Sequence, residues 1–237
     1  MEKSLTIIVP VYNEEENIER IASALKNYQD STDYLVKILF VNDGSSDESQ
    51  TLIDKFCQEY PDFHYIEFAQ NRGLSAAIMA GFDHVETSLA GYIDADLQTD
   101  PRDFDLLLEH IDDFDLVTGV RTGRKESFVK NMSSTIANKI RRAFTHDGMD
   151  DTGCPLKIIR SEVAKRIPMF NGLHRFLPAM VLLQNGKIKQ VPVRHYPRIA
   201  GQAKFGLLNR LWGPLQDCFA YLWMKKKYIN YTVKKRG

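Results

Sequence analysis

Apolar residues first gather over residues 4–12, SLTIIVPVY, a short run closed by a proline and a polar turn. A run of that length predicts a buried strand. In the next stretch, NEEENIERIASALKNY (13–28), the spacing changes. Ile18, Ile21, Ala22 and Leu25 recur three and four positions apart, which predicts an amphipathic helix. The alternation then repeats. Strands are predicted over YLVKILFVND (34–43), FHYIEFA (63–69), LAGYIDAD (89–96) and FDLVTGVR (114–121). Helices are predicted over 45–60, 73–85 and 101–111; Ser45 or Ser46 suits an N-cap, and Pro101 a first helical position. Strands alternating with helices over 120 residues predict an α/β fold, a mostly parallel sheet covered by helices.

After residue 122 the rhythm changes. ESFVKNMSSTIANKIRRAF (126–144) reads as a basic amphipathic helix. A Gly- and Asp-rich loop follows, then CPLKIIRSEVAKRI (154–167) and a strand-like KIKQVPVRHYPRI (187–199). These elements are taken as one domain over 1–205. Residues 206–237 form a separate aromatic and basic segment, in which Leu211, Trp212, Leu215, Phe219, Leu222 and Trp223 make a near-helical stripe beside Lys225–Lys227. Gly213-Pro214 interrupts the stripe. It suits a membrane interface, a core-packing helix or a dimer contact.

With 237 residues and 43% apolar content the chain can bury a full core. Its three cysteines are widely spaced without a CxxC pair, which predicts a reducing, cytosolic setting and no zinc site. The start turns acidic where a signal peptide needs a long apolar core, and no run reaches the roughly 18 apolar residues of a spanning helix. A cytoplasmic protein, not integral to the membrane, is expected. The formal net charge of zero hides an asymmetry. Residues 1–115 hold 7 Lys and Arg against 25 Asp and Glu, a balance of −18; residues 116–237 hold 24 against 6, a balance of +18. An acidic half that handles a metal and a basic half that faces anions would produce that split.

Candidate chemistry lies where the strands end. In open α/β sheets ligands bind outside the carboxyl ends of the strands. Here those ends read Tyr12-Asn13-Glu14, Asn42-Asp43-Gly44-Ser45, Asn71-Arg72-Gly73 and Asp94-Ala95-Asp96. One such loop is an ordinary turn; four on one edge describe a nucleotide pocket with a divalent ion. Asp94, Asp96 and Gln98 occupy alternate positions, so in extended chain they face one side, and two adjacent carboxylates repel unless a cation lies between them. Mg²⁺ or Mn²⁺ prefers such hard oxygen ligands together with substrate phosphates. Asp43 is placed to accept hydrogen bonds from a base or ribose.

The segments IIVPVYNEEENI, FVNDGSSDES, NRGLSAAIMAGFDH and YIDADLQTDP, in that order and spacing, resemble the family 2 glycosyltransferases of GT-A fold (a Rossmann-like nucleotide-diphospho-sugar transferase). Within them the chain is most similar to the polyprenyl-phosphate sugar transferases, over roughly residues 4–205. The resemblance implies inverting transfer from a nucleotide-diphosphate sugar, UDP- or GDP-linked, to a polyprenyl phosphate, with Mg²⁺ or Mn²⁺ as cofactor. It implies nucleotide contacts from Pro10, Tyr12, Glu14, Asp43 and Ala95, and a metal held by Asp94, Asp96 and Gln98. Arg121, Arg124, Lys130 and Ser134 match the acceptor-phosphate region. Arg198, Gly201 and Lys204 match an Arg-x-x-Gly-x-Ser-Lys signature in which Ala203 replaces the serine, with Arg198 and Lys204 on the diphosphate. Cys154-Pro155 departs from the Gly-Phe usual in the family.

A lipid phosphate is already an anionic nucleophile, so the reaction needs positioning cations rather than a strong base. Expected partners are therefore the donor, the polyprenyl phosphate and a membrane surface or membrane protein on the inner face of the cytoplasmic membrane. A homo-oligomer is allowed for, and nucleic acid is not expected. The rival enzymatic reading is a hydroxyl acceptor, which requires a base; Asp150-Asp151 is its weak candidate. An idle, membrane-recruited adaptor and a nucleotidyltransferase are further rivals. The acidic stretch after the first strand argues against the latter.

Overall fold

The fold is taken from a computed structural model that describes residues 3–122, 141–197, 209–230 and 234–235. Its strands are β1 (Ser4–Val11), β2 (Leu35–Asn42), β3 (Phe63–Glu67), β4 (Leu89–Tyr92), β5 (Leu116–Thr122), β6 (Lys157–Arg160) and β7 (Ile188–Arg194). They form one sheet in the order β3-β2-β1-β4-β6-β5-β7. Every neighbouring pair is parallel except those made by β6, which runs antiparallel to both β4 and β5. The five strands expected in the first 122 residues are present. Lys157–Arg160, within the segment 154–167, supply the antiparallel insert.

The helices are α1 (Glu15–Ser31), α2 (Ser49–Glu59), α3 (Leu74–His84), α4 (Phe104–Leu108), α5 (Ser161–Ala164), α6 (Leu177–Leu183) and α7 (Asn209–Lys227). Short 3₁₀ turns span Pro101–Asp103 and Leu173–Phe176. Of the helix expected over 126–144, residues 141–144 are described and are helical. Alternate positions along β1 and β2 feed two separate cores. Leu5, Ile7 and Val9 join Ile38, Phe40, Ile18, Ile21, Leu25 and Phe104 on one face. Ile8, Leu39 and Val41 join Ala77, Ile78, Phe82, Phe176 and Tyr221 on the other. Helices thus cover both faces, as the continuous apolar strands require. The second core includes α7: Cys218 and Tyr221 are buried, and the Tyr221 ring stacks on Phe176 with centroids 5.7 Å apart. Core packing therefore accounts for the face of α7 that carries Cys218 and Tyr221, while Phe219 and Trp223 of the stripe stay exposed.

Two local expectations are corrected. The fourth strand stops at Tyr92 rather than running to Asp96. Ser45 and Ser46 do not cap α2, which begins at Ser49 after a Glu48 N-cap position. Their polar atoms are used across the loops instead, as described next.

Candidate active site

The chain steps outward from β1 to β2 and β3, then returns to place β4 on the other side of β1. That reversal is the topological switch point, where the loops after β1 and β4 diverge and leave a crevice. The parallel register of Ile8 with Tyr92 brings Tyr12–Glu14 beside the segment that starts at Ile93.

Three loops wall the crevice and are sewn together by side-chain bonds to backbone. Ser45 Oγ accepts from the Asn13 N–H at 2.9 Å, and Asn13 Oδ1 accepts from the Ser46 N–H at 2.8 Å. Ser49 Oγ accepts from the Glu14 N–H at 2.9 Å, while Glu14 Oε2 accepts from Asn17 Nδ2 at 2.7 Å. Asn13 holds φ at 50°, a conformation that asparagine tolerates. Gly44 is required where it stands: φ is 68°, and an added Cβ would lie 2.6 Å from the carbonyl carbon of Gln70.

Asp43 is buried, and its carboxylate accepts from Asn71 Nδ2 at 2.9 Å, the Arg72 N–H at 2.6 Å and the Gly73 N–H at 2.8 Å. Three of roughly four acceptor sites on a carboxylate are thereby taken. Expected to face a base or ribose, Asp43 also shapes the third loop and keeps about one acceptor site beyond those contacts. Tyr12 is exposed at the crevice mouth, and Pro10 is half-buried near the end of β1.

Beyond β4 the chain does not stay extended. Ala95 and Asp96 lie in a turn, and Leu97 has φ of 53°. Asp94, Asp96 and Gln98 therefore do not converge by strand alternation. The turn brings its groups together differently. The Tyr92 hydroxyl donates to Asp94 Oδ1 at 2.6 Å, and the Gln98 N–H donates to Asp96 Oδ1 at 3.1 Å. Gln98 contributes its backbone here, and its carbonyl accepts from the Tyr196 N–H at 2.9 Å. Asp94 is half-buried, while Ala95 and Asp96 are buried.

On the far side of β4 the antiparallel insert places Lys157 opposite Tyr92. Lys157 is buried, donates to the Cys154 carbonyl and lies 5.6 Å from the Tyr92 ring centroid. Burial pulls its ammonium below the ordinary lysine range, while nearby Cys154, Asp151 and Asp94 act to raise it. Arg121 ends the arc. Its Nε donates to Asp151 Oδ2 at 2.7 Å and its Nη2 to Asp151 Oδ1 at 2.8 Å. Gly153 leaves room for this pair, since a Cβ there would sit 2.9 Å from Nη2. Asp150 is exposed and pairs with Arg142.

The sequence points to Arg121 for the acceptor phosphate, and the structure shows it paired with Asp151; neither that pairing, nor Lys157, nor the Ser75–His174 contact is signalled in the sequence. Lys157 sits in an ordinary-looking CPLKIIR segment, and no local signal announces a buried charge. Arg124, Lys130, Ser134, Arg198 and Lys204 lie outside the described residues. A separate cleft of about 380 Å³ opens between α1 and Leu97–Arg102, lined by Tyr28, Thr99 and Tyr196 among others. It adjoins the carboxylate turn but contains none of its acids.

The Glycosyl transferase family 2 model matches residues 6–167. The chain belongs to this family. A dodecaprenyl-phosphate galacturonate synthase of Rhizobium johnstonii is 31% identical over 213 residues, covering 86% of this chain and 62% of that protein. An undecaprenyl-phosphate 4-deoxy-4-formamido-L-arabinose transferase of Salmonella choleraesuis is 33% identical over 210 residues, covering 87% and 64%. The chain spans a little over three fifths of the length of these relatives. Among solved structures, a glucosyl-3-phosphoglycerate synthase from Mycobacterium tuberculosis in complex with Mn²⁺, UDP and glucosyl-3-phosphoglycerate superposes with a TM-score of 0.72 at 15% identity, covering 94% of this chain and 80% of that one. A mannosyltransferase from Pyrobaculum calidifontis in complex with GDP-mannose and Mn²⁺ gives 0.70 at 18% identity, covering 93% and 64%. These two likenesses bear on the fold, which is GT-A.

In this family 2 chain the acids after β4 lie close enough for one to influence the ionisation of the other. Burial and the neighbouring Asp96 carboxylate push the Asp94 carboxyl up to about 6, against opposing effects of the Tyr92 hydroxyl, Lys157 and Arg121. Lys157 and Arg121 are near but do not offset burial and the second carboxylate, so further positive charge between the acids would be accommodated. Among the described residues no three His, Cys, Asp or Glu side chains gather as a self-sufficient metal site. Two carboxylates completed by substrate phosphates is the arrangement Mg²⁺ commonly adopts, so the residues present fit a divalent ion that arrives with its nucleotide.

Proposed function

We propose that this chain transfers a sugar from a nucleotide-diphosphate donor to a polyprenyl phosphate at the cytoplasmic face of a membrane. The reading rests chiefly on the Asp94–Asp96 turn at the switch point, beside the loops of Tyr12–Glu14 and Asp43. Asp94 and Asp96 would hold Mg²⁺ or Mn²⁺, with Gln98 in the same turn. When bound, the ion would neutralise charge on the departing diphosphate. The loop groups of Pro10, Tyr12, Glu14 and Ala95 would seat the nucleotide.

In the proposed step an oxygen of the lipid phosphate bonds to the anomeric carbon as the bond from that carbon to the diphosphate oxygen breaks. The nucleophile carries its own negative charge, so no side chain has to take a proton. This agrees with what Asp150 and Asp151 do: both are engaged by arginines, Arg142 and Arg121. A hydroxyl acceptor would need one of them as a base. Arg121, Arg124, Lys130 and Ser134 are proposed for the acceptor phosphate, and Arg198 and Lys204 for the diphosphate, on motif grounds. The two relatives named for dodecaprenyl- and undecaprenyl-phosphate chemistry support the acceptor class.

The C-terminal segment is proposed to rest on the bilayer. Helix α7 buries Cys218 and Tyr221 against the body but leaves Phe219 59% and Trp223 66% exposed, ahead of exposed Lys225–Lys227. Exposed aromatics beside lysines suit an interface with anionic headgroups. Among the described residues no helix is long and apolar enough to cross a membrane.

A release assay tests the reading: protein, Mn²⁺ and a panel of UDP- and GDP-sugars, with and without a short-chain polyprenyl phosphate. Nucleotide diphosphate released only with the lipid phosphate, and lost in Asp96→Ala, is the expected result. Release that instead follows a hydroxyl acceptor and disappears in Asp150→Asn or Asp151→Asn would replace it.

A further inference from the structure

His174 lies in the 3₁₀ turn Leu173–Phe176, across from the first turn of α3. Its Nδ1 is 2.7 Å from Ser75 Oγ, and the same Oγ accepts from the Gly172 N–H at 3.0 Å. Ser75 is buried, and among the described residues its hydroxyl proton has no acceptor other than Nδ1. The network therefore assigns Nδ1 as acceptor and puts the ring proton on Nε2. Among the described residues no group hydrogen-bonds to Nε2. The imidazole is neutral: burial first, then Arg175 and Lys157, push it down to about 3.

The turn carrying this ring is held from both sides. Ser75 grips it from α3. From α7, Asp217 pairs with Arg175 and packs against Gly172, where φ is 96° and a Cβ would come within 2.3 Å of Asp217 Oδ2. The position is also tied to the reaction centre. Lys157, near enough to influence His174, lies against the Tyr92 ring whose hydroxyl holds Asp94. The start of α3 stands at the carboxyl edge of the sheet, on the face of β4 that carries Tyr92.

We propose that His174, fixed through Ser75, is a specificity-determining residue whose Nε2–H donates to a hydroxyl oxygen of the transferred sugar. The inference rests on the sugar-transfer reading above and extends it to a contact that selects the donor. The chemistry favours a neutral ligand group. Phosphates are better met by the arginines, lysines and cation already assigned to them. A role as general base is closed to Nε2, which already carries its proton. A fixed donor of this kind discriminates, because a sugar lacking the matching oxygen leaves the half-buried Nε2–H without that partner.

The experiment is equilibrium binding with Mg²⁺ of UDP, UDP-glucose, UDP-galacturonate, GDP and GDP-mannose to wild type, His174→Phe, His174→Gln and Ser75→Ala. In wild type at least one nucleotide sugar should bind roughly tenfold tighter than its bare diphosphate, the size of one well-placed polar contact. His174→Phe should erase that gain while leaving the bare diphosphate's Kd unchanged, and His174→Gln, which keeps an N–H donor, should restore most of it. Should His174→Phe not fold, Ser75→Ala carries the test: it frees the ring to take the other tautomer and should weaken the gain selectively. The proposal is overturned by a gain that survives in folded variants, by equal losses for sugar and bare diphosphate, or by no sugar-dependent gain in wild type. Failure of the underlying reading looks different, since wild type would then bind neither diphosphate.

Discussion

Arg121 and Asp151 meet as a bidentate pair, with both guanidinium–carboxylate contacts below 2.9 Å and both side chains largely buried. The pair joins β5 to the loop before β6, and so sets the distance between the acceptor side of the site and the carboxylate turn. Removing one partner strands the other charge. Asp151→Asn should destabilise the protein by about 3 kcal/mol in urea unfolding. Under conditions where it is folded, transfer to a lipid phosphate should fall far less than it would if Asp151 were the base. Arg121→Lys should not rescue the pair, because an ammonium cannot reproduce the fork.

Metal binding should follow the titration of the acid pair. Asp94 is raised to about 6, so protonation competes with the cation as pH falls through that value. The Kd for Mg²⁺, measured calorimetrically with UDP present, should rise roughly tenfold per pH unit below about 6 and stay flat above 7. Asp96→Asn should weaken metal-dependent turnover by about a hundredfold or more. A pH-independent Kd between 5 and 7 would contradict the assignment.

Asp43 is expected to act through the loop it organises. Asp43→Ala removes three hydrogen bonds to a charged acceptor and leaves the Arg72 and Gly73 amides without that partner. The cost should be about 2–4 kcal/mol, with faster hydrogen exchange at those two amides. Nucleotide affinity should fall with the loop's order, and Asp43→Asn should recover only part of the loss.

His174 links stability to acidity. Its folded value of about 3 lies below the ordinary 6.5, so between these values the unfolded chain binds a proton that the folded chain refuses. The stability it contributes is complete above about 6.5 and drains away as pH falls toward 3. At pH 5 the deficit relative to pH 7 should be on the order of 2 kcal/mol. His174→Gln should flatten the profile by that amount, as read from urea midpoints at several pH values. An unchanged slope would show that the ring is not held neutral.

Membrane attachment through α7 makes a separable prediction. Trp223→Ala removes exposed aromatic surface without touching the buried face of Cys218 and Tyr221, whereas Phe219 packs edge-on against Phe144. Binding to anionic vesicles should drop about tenfold or more, and the thermal midpoint should hold within a degree or two. Higher salt should weaken the residual binding that Lys225–Lys227 provide.

Much of this was readable along the chain. Apolar runs and helical spacing located β1 to β5 and the helices between them, because parallel strands buried on both faces leave a continuous apolar imprint. The strand-end loops were legible for the same reason, since polar residues at those ends stand out against the runs. The antiparallel β6 was not legible. Four residues, Lys157–Arg160, pair with strands more than 35 positions away, and only that pairing makes them a strand. Nor was the turn at Asp94–Gln98, where alternation suggested an extended chain and Leu97 adopts a positive φ instead.

The sequence by itself determined the α/β class, the family and the placing of acids after the fourth strand, all of which depend on local composition and order. Tertiary structure alone decided who partners whom. It gave Asp43 to the Arg72–Gly73 amides, Asp151 to Arg121, and Ser75 to His174, pairs separated by 29 to 99 positions. Such pairings depend on how strands and helices register in space, and a buried charge or a fixed tautomer exists only once that register has removed water from around it.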